Sequence, residues 1–127
     1  VFDLNSEAGG SFKTVLDKLG KTFVSRGFGA DVVADTFEAW TVHSYAGDYN
    51  PLHNHGCHTM AGLSCILYLK VPECIQNAVP PAEHAVMPFS GEGERRTFSA
   101  NINVFKMSEF DGMSEEQQIA KIEKFRG

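Results

Sequence analysis

Arg95-Arg96-Thr97-Phe98-Ser99-Ala100-Asn101 alternates polar and apolar side chains from Thr97 onward. Successive side chains of a strand point to opposite faces. Arg95, Thr97, Ser99 and Asn101 therefore share one face, and Arg96, Phe98, Ala100 and Ile102 share the other. The stretch predicts a β-strand over 95–105 with a polar stripe along one side. Two readings of that stripe differ in consequence. On composition alone the simpler is a half-exposed strand whose polar face meets water. The sharper is a receptor for a carboxylate, because a guanidinium fork pairs with both oxygens and a neighbouring hydroxyl adds a further bond.

Working outward, a Ser-Gly-Glu-Gly turn joins this strand to another over Ala85 to Phe89. Residues 72–83 hold three prolines and show no period. Thr59 to Val71 (TMAGLSCILYLKV) reads as a longer, largely buried strand that Pro72 ends. Leu52 to His55 reads as a short strand after the turn Ala46-Gly-Asp-Tyr-Asn-Pro51, and Thr36 to Tyr45 as an aromatic and β-branched strand. Nearer the N-terminus, Phe12, Val15, Leu16, Leu19 and Phe23 fall at helical spacing. They predict an amphipathic helix over Ser11 to Arg26, capped by Ser11, stopped by Gly27 and Gly29 and packed on a sheet. At the other end Ser114-Glu-Glu-Gln117 is a capping box ahead of an Ile119, Ile122 and Phe125 stripe. That stripe reads as a core contact before a dimer interface, and the oligomeric state stays open. The whole is a mostly β chain with flanking helices, expected to form one domain over 1–127.

The chain has 127 residues, with 11 Lys and Arg against 16 Asp and Glu, for a net charge of −5. A hydrophobic share of 43% with 21% charged residues excludes wholesale disorder. The acidic balance argues against general binding to nucleic-acid backbones or anionic membranes. No apolar run reaches the ~20 residues of a membrane-spanning helix. The opening VFDLNSEAGG has neither the basic end nor the apolar stretch of a signal peptide. Cys57, Cys65 and Cys74 are odd in number and form no CxxC, which points to a reducing, cytoplasmic compartment.

Four of the five histidines, His43, His53, His55 and His58, fall within sixteen residues. On a strand His53 and His55 present two imidazoles to one point, an arrangement suited to a transition metal. The alternative is a solvated strand face. A metal also needs a third ligand, and His84 is the well-placed candidate. His43 reads equally as a packed core group or as a group behind the ligands, and His58 as solvated.

These segments together resemble the iron(II)/2-oxoglutarate-dependent oxygenase superfamily. The resemblance rests on Ala46-Gly-Asp-Tyr-Asn-Pro-Leu-His-Asn-His55, on Gly62 to Pro72, on His84-Ala-Val-Met-Pro-Phe and on Gly93 to Asn101, in that order and over about half the chain. It is closest to the prolyl-hydroxylase-like branch and to small oxygenases of cyanophages and marine bacteria, whose setting is a host cytoplasm. It implies a double-stranded β-helix, a jelly-roll or cupin-like barrel with the metal inside one end. His53, His55 and His84 would be the iron ligands. His55 stands where the superfamily usually has Asp, which leaves the iron one charge more positive. Arg95 would pair with the far carboxylate of 2-oxoglutarate, with Thr97 and Tyr68 adding hydrogen bonds and Tyr45 lining the pocket. The implied reaction hydroxylates a substrate, a peptide or protein side chain by analogy, using Fe(II), O2 and 2-oxoglutarate and releasing succinate and CO2.

Twelve residues with three prolines cannot supply the remaining strands of such a barrel, since strands average ~5–6 residues. The barrel is therefore expected to be incomplete, with chain missing between about Gln76 and Pro81. Three alternatives compete: a cupin-like three-histidine protein without 2-oxoglutarate, a zinc site, and a barrel module without catalysis.

Overall fold

In the computed structural model, which describes residues 2–51, 59, 61–75 and 89–126, the alternating stretch is a strand over Arg95–Lys106. Two further strands flank it. β1 runs over Val32–Ser44, β2 over Ala61–Lys70 and β3 over Arg95–Lys106, all antiparallel, in the order β1-β3-β2. Helices occupy Glu7–Phe28 (α1) and Glu115–Lys124 (α2), and two 3-10 turns cover Glu73–Ile75 and Met107–Phe110. The described residues are thus a small mixed α/β arrangement. The strand expected at Leu52 to His55 lies outside them, as do residues 85–88 of the strand expected to end at Phe89.

The register carries the two faces of β3 across the sheet. Phe98 sits between Thr41 and Leu67, Ala100 between Ala39 and Cys65, and Ile102 between Thr36 and Leu63. α1 covers this face. Leu16 packs with Ala39, Phe98, Ala100 and Ile102, and Val24 with Val32 and Val104. Fully burying one such aliphatic side chain is worth about 1.5–3 kcal/mol. Phe2, Phe12 and Phe98 close one end, with Phe12 at 4.8 Å and Phe2 at 5.5 Å from Phe98, both edge-on.

α1 differs from its expected form in three respects. It begins at Glu7, with Ser6 rather than Ser11 as the cap, accepting from the Gly9 amide at 3.0 Å. Gly9 lies inside the first turn because a Cβ there would collide with the Asp3 carbonyl oxygen. The helix also passes through Gly27 and stops at Gly29, whose φ of 65° is left-handed. Finally, the row facing the sheet is Leu16, Gly20 and Val24, while Val15, Leu19 and Phe23 are exposed. A small residue decides the docking: a Cβ on Gly20 would lie only 3.4 Å from that of Ala34.

β1 starts four residues earlier than expected, and a bulge between Thr36 and Glu38 interrupts its pairing with β3. The Thr36 amide there is taken up by α1, where Asp17 Oδ1 accepts from Thr36 N at 2.6 Å and from Thr36 Oγ1 at 2.7 Å. Lys13 Nζ then bridges Asp17 (2.6 Å) and buried Asp35 (2.7 Å), and Arg126 donates to both Asp35 oxygens at 2.9 and 3.0 Å. β2 is not largely buried as expected. Ile66, Leu67, Tyr68 and Leu69 are all exposed. α2 has the expected capping box. Behind it Phe125 meets Phe105 at 5.5 Å, and the Phe125 carbonyl accepts from Asn103 Nδ2 at 2.8 Å. Among the described residues no helix is long and apolar enough to cross a membrane.

Candidate functional site: the polar face of the sheet

The other face of β3 carries Arg95, Thr97, Ser99, Asn101 and Asn103. Water does not simply bathe it, contrary to the simpler expectation. Ser99 is 9% exposed, Asn101 3% and Asn103 0%. Burying polar side chains is costly unless each finds a partner. Asn101 finds two: Nδ2 donates to Glu38 Oε1 at 2.5 Å, and Oδ1 accepts from Ser64 Oγ at 2.9 Å. These partners come from β1 and β2, so one amide ties all three strands on this face.

Register arranges the face in rows. Ser44 lies opposite Arg95, Val42 and Tyr68 flank Thr97, Trp40 and Ile66 flank Ser99, and Glu38 and Ser64 flank Asn101. Three residues expected to hold a carboxylate therefore share this face. Tyr68 pairs directly with Thr97 although 29 positions separate them (97 − 68), and Arg95 is one row further on the same face. The Arg95 guanidinium lies over the Phe89 ring at 5.4 Å, a cation–π contact that limits its freedom.

Tyr45 lies past the end of β1 and is exposed, and its backbone amide donates to Asp48 Oδ2 at 2.8 Å. His53, His55, His58 and His84 lie outside the described residues. Among the described residues no group of three or more His, Cys, Asp or Glu could hold a metal ion. Burial pushes the Cys65 thiol up, so it stays protonated and a weak nucleophile.

Sequence reasoning misses Glu94, which stands between the Ser-Gly-Glu-Gly turn and the strand and is given no role there. Its carboxylate is the hub of an ion cluster at the start of β3. Oε1 accepts from His43 Nδ1 at 2.6 Å and from Arg96 Nε at 2.8 Å, and Oε2 accepts from Arg96 Nη2 at 3.1 Å. Lys70 Nζ approaches to 3.9 Å. Direct pairing of His43 and Lys70 with Arg96 brings these side chains together from all three strands. Their common pairing with Arg96 is the signal, and it needs the register to be seen. Arg95, between two residues anchored on the far side, belongs to the polar face.

The Arg96 guanidinium, with help from His43 and against partial burial, lowers the Glu94 carboxyl to about 2. A group depressed on folding stabilises the fold above its unfolded value and loses that contribution as pH falls through its folded value. The stabilisation from Glu94 is then complete above the ordinary carboxylate value of 4.5 and disappears as pH drops towards about 2. Urea midpoints measured between pH 6 and pH 2.5 should fall less steeply for Glu94→Gln than for the parent chain. Parallel curves would assign the acid sensitivity elsewhere.

Compared with family models, with curated proteins and with solved structures, the chain finds no match.

Proposed function

We propose that the chain is an iron(II)- and 2-oxoglutarate-dependent oxygenase that hydroxylates its substrate. The supporting observation is that Arg95, Thr97 and Tyr68 share a partly buried polar face, from two strands far apart in sequence. A guanidinium, a hydroxyl and a phenol in adjoining rows are the donor set that a carboxylate requires. They fit the far end of 2-oxoglutarate. Arg95 takes both carboxylate oxygens, and the Thr97 and Tyr68 hydroxyls donate from the side. Among the described strands the last enters between the first two, a non-local closure also found in Greek-key and jelly-roll sheets.

His53, His55 and His84 are the residues that would hold the iron, which imidazole suits. When bound, the metal supplies the activation of dioxygen, and the protein supplies position and charge. The polar rows beyond Thr97 orient the substrate, and their hydrogen-bonded side chains hold them rigid.

The test is anaerobic addition of Fe(II) and then 2-oxoglutarate to the full chain. The weak visible band of 2-oxoglutarate chelated to iron should appear, and admission of oxygen should give succinate. A chain that binds iron but never develops the band or forms succinate would overturn the proposal.

A further inference from the structure

Four residues along β3 from Thr97, about 13 Å at strand spacing, the same face ends in a different kind of site. Glu38, Asn101 and Ser64 form one row, and Trp40 stands in the row between them and Thr97. The bulge at Phe37 creates this arrangement. Unbroken alternation from Asp35, which pairs with Asn103, would set Phe37 opposite Asn101 and turn Glu38 towards the helix. The extra residue instead brings Glu38 onto the polar face. Bulges are often used in this way, to re-aim a side chain beside a site.

The resulting carboxylate is unusual in its support. Glu38 is exposed, yet the amide that grips it is 3% exposed and is itself fixed by Ser64. A freely solvated glutamate gains little from such an anchor, because immobilising the side chain costs rotamer freedom. An oriented carboxylate beside a half-buried indole is the pair that receives an ammonium or guanidinium group, by charge at one side and by the ring face at the other.

From this geometry we infer that Glu38, held by Asn101 and flanked by Trp40, is the binding site for a cationic side chain of the substrate. The inference rests on the oxygenase reading, which makes the bound molecule a substrate. It names the class as a lysyl- or arginyl-containing peptide. Asn101 and Ser64 are positioning residues that act through Glu38.

Trp40 is the only tryptophan in the chain, so its fluorescence reports this row alone. The full chain, with iron(II) and 2-oxoglutarate under nitrogen, is titrated with blocked alanine-based pentapeptides carrying one central arginine, lysine or glutamate. A saturable change is expected with the arginine or lysine peptide and none with the glutamate peptide. Glu38→Gln, which keeps the shape and the Asn101 bond but removes the charge, should weaken the response at least threefold. Glu38→Lys should abolish it. No saturable change with either cationic peptide, an equal response to the glutamate peptide, or less than threefold weakening in Glu38→Gln would overturn the inference. Failure of the oxygenase reading is seen separately, as the missing iron–2-oxoglutarate band in the parent chain.

Discussion

Arg95→Ala is expected to weaken 2-oxoglutarate binding roughly 30- to 5,000-fold, the range that corresponds to about 2–5 kcal/mol for truncating one side of a buried, hydrogen-bonded charge pair. Arg95 begins β3, and its neighbours Glu94 and Arg96 anchor the backbone from the other face. The sheet should therefore survive the change. Loss of the chelate band at co-substrate concentrations that saturate the parent chain is the readout, with an unaltered far-ultraviolet circular dichroism spectrum as the control. Thr97→Ala and Tyr68→Phe each remove one hydrogen bond to the charged carboxylate and should cost about 1.5–3 kcal/mol, roughly 10- to 150-fold. That graded order, with the guanidinium ahead of each hydroxyl, is specific to a carboxylate clamp. Metal-dependent activity that persists in Arg95→Ala would favour the cupin-like alternative, which has no use for a dicarboxylic acid.

Phe98→Ala should destabilise the fold by about 3–5 kcal/mol, as large-to-small aromatic substitutions in a core do. The ring is 3% exposed, lies between Thr41 and Leu67 in the sheet, and meets Phe2 and Phe12 edge-on. Its removal takes a packing partner from both of those rings at once. Leu19→Ala, on the same helix as Phe12, is the contrast: Leu19 is 59% exposed, and its loss should change stability by no more than about 0.5 kcal/mol. Urea denaturation of the two variants measures both. Equal losses would mean that the exposed row of α1 is covered in solution.

The contrast between Phe98 and Leu19 marks how far residue order alone can be read. Phe98 is legible as inward because alternation over 97–104 is unbroken and has only one strand-like solution. Leu19 is not legible as outward, because apolarity is a poor guide to the buried face of α1. The helix instead turns Gly20 to the sheet between Leu16 and Val24, where close approach matters more than hydrophobic area. The early start of β1 is hidden for a related reason. Val32-Val33-Ala34-Asp35 does not alternate, and the bulge at Phe37 shifts the phase of the residues after it. Motif order singles out Arg95, Thr97 and Tyr68, whereas their adjacency is a matter of register. His43 becomes visible only when register sets it against Arg96, and Glu94 only through the bonds it makes with both. Local chemistry identifies strands and caps, but pairing between segments dozens of residues apart leaves little trace in either segment alone.

The position of β3 between β1 and β2 has a consequence for biosynthesis. Neither of the first two strands has a described partner until residues 95–106 have emerged from the ribosome, and some fifty positions separate β1 from that moment. Nascent chains must then keep unpaired strand edges apart for seconds before the central ribbon arrives, and contacts so distant in sequence form slowly. A folding helper at the exit tunnel, or slow translation after the codon for Lys106, would act at the moment when this molecule is most exposed to misassembly.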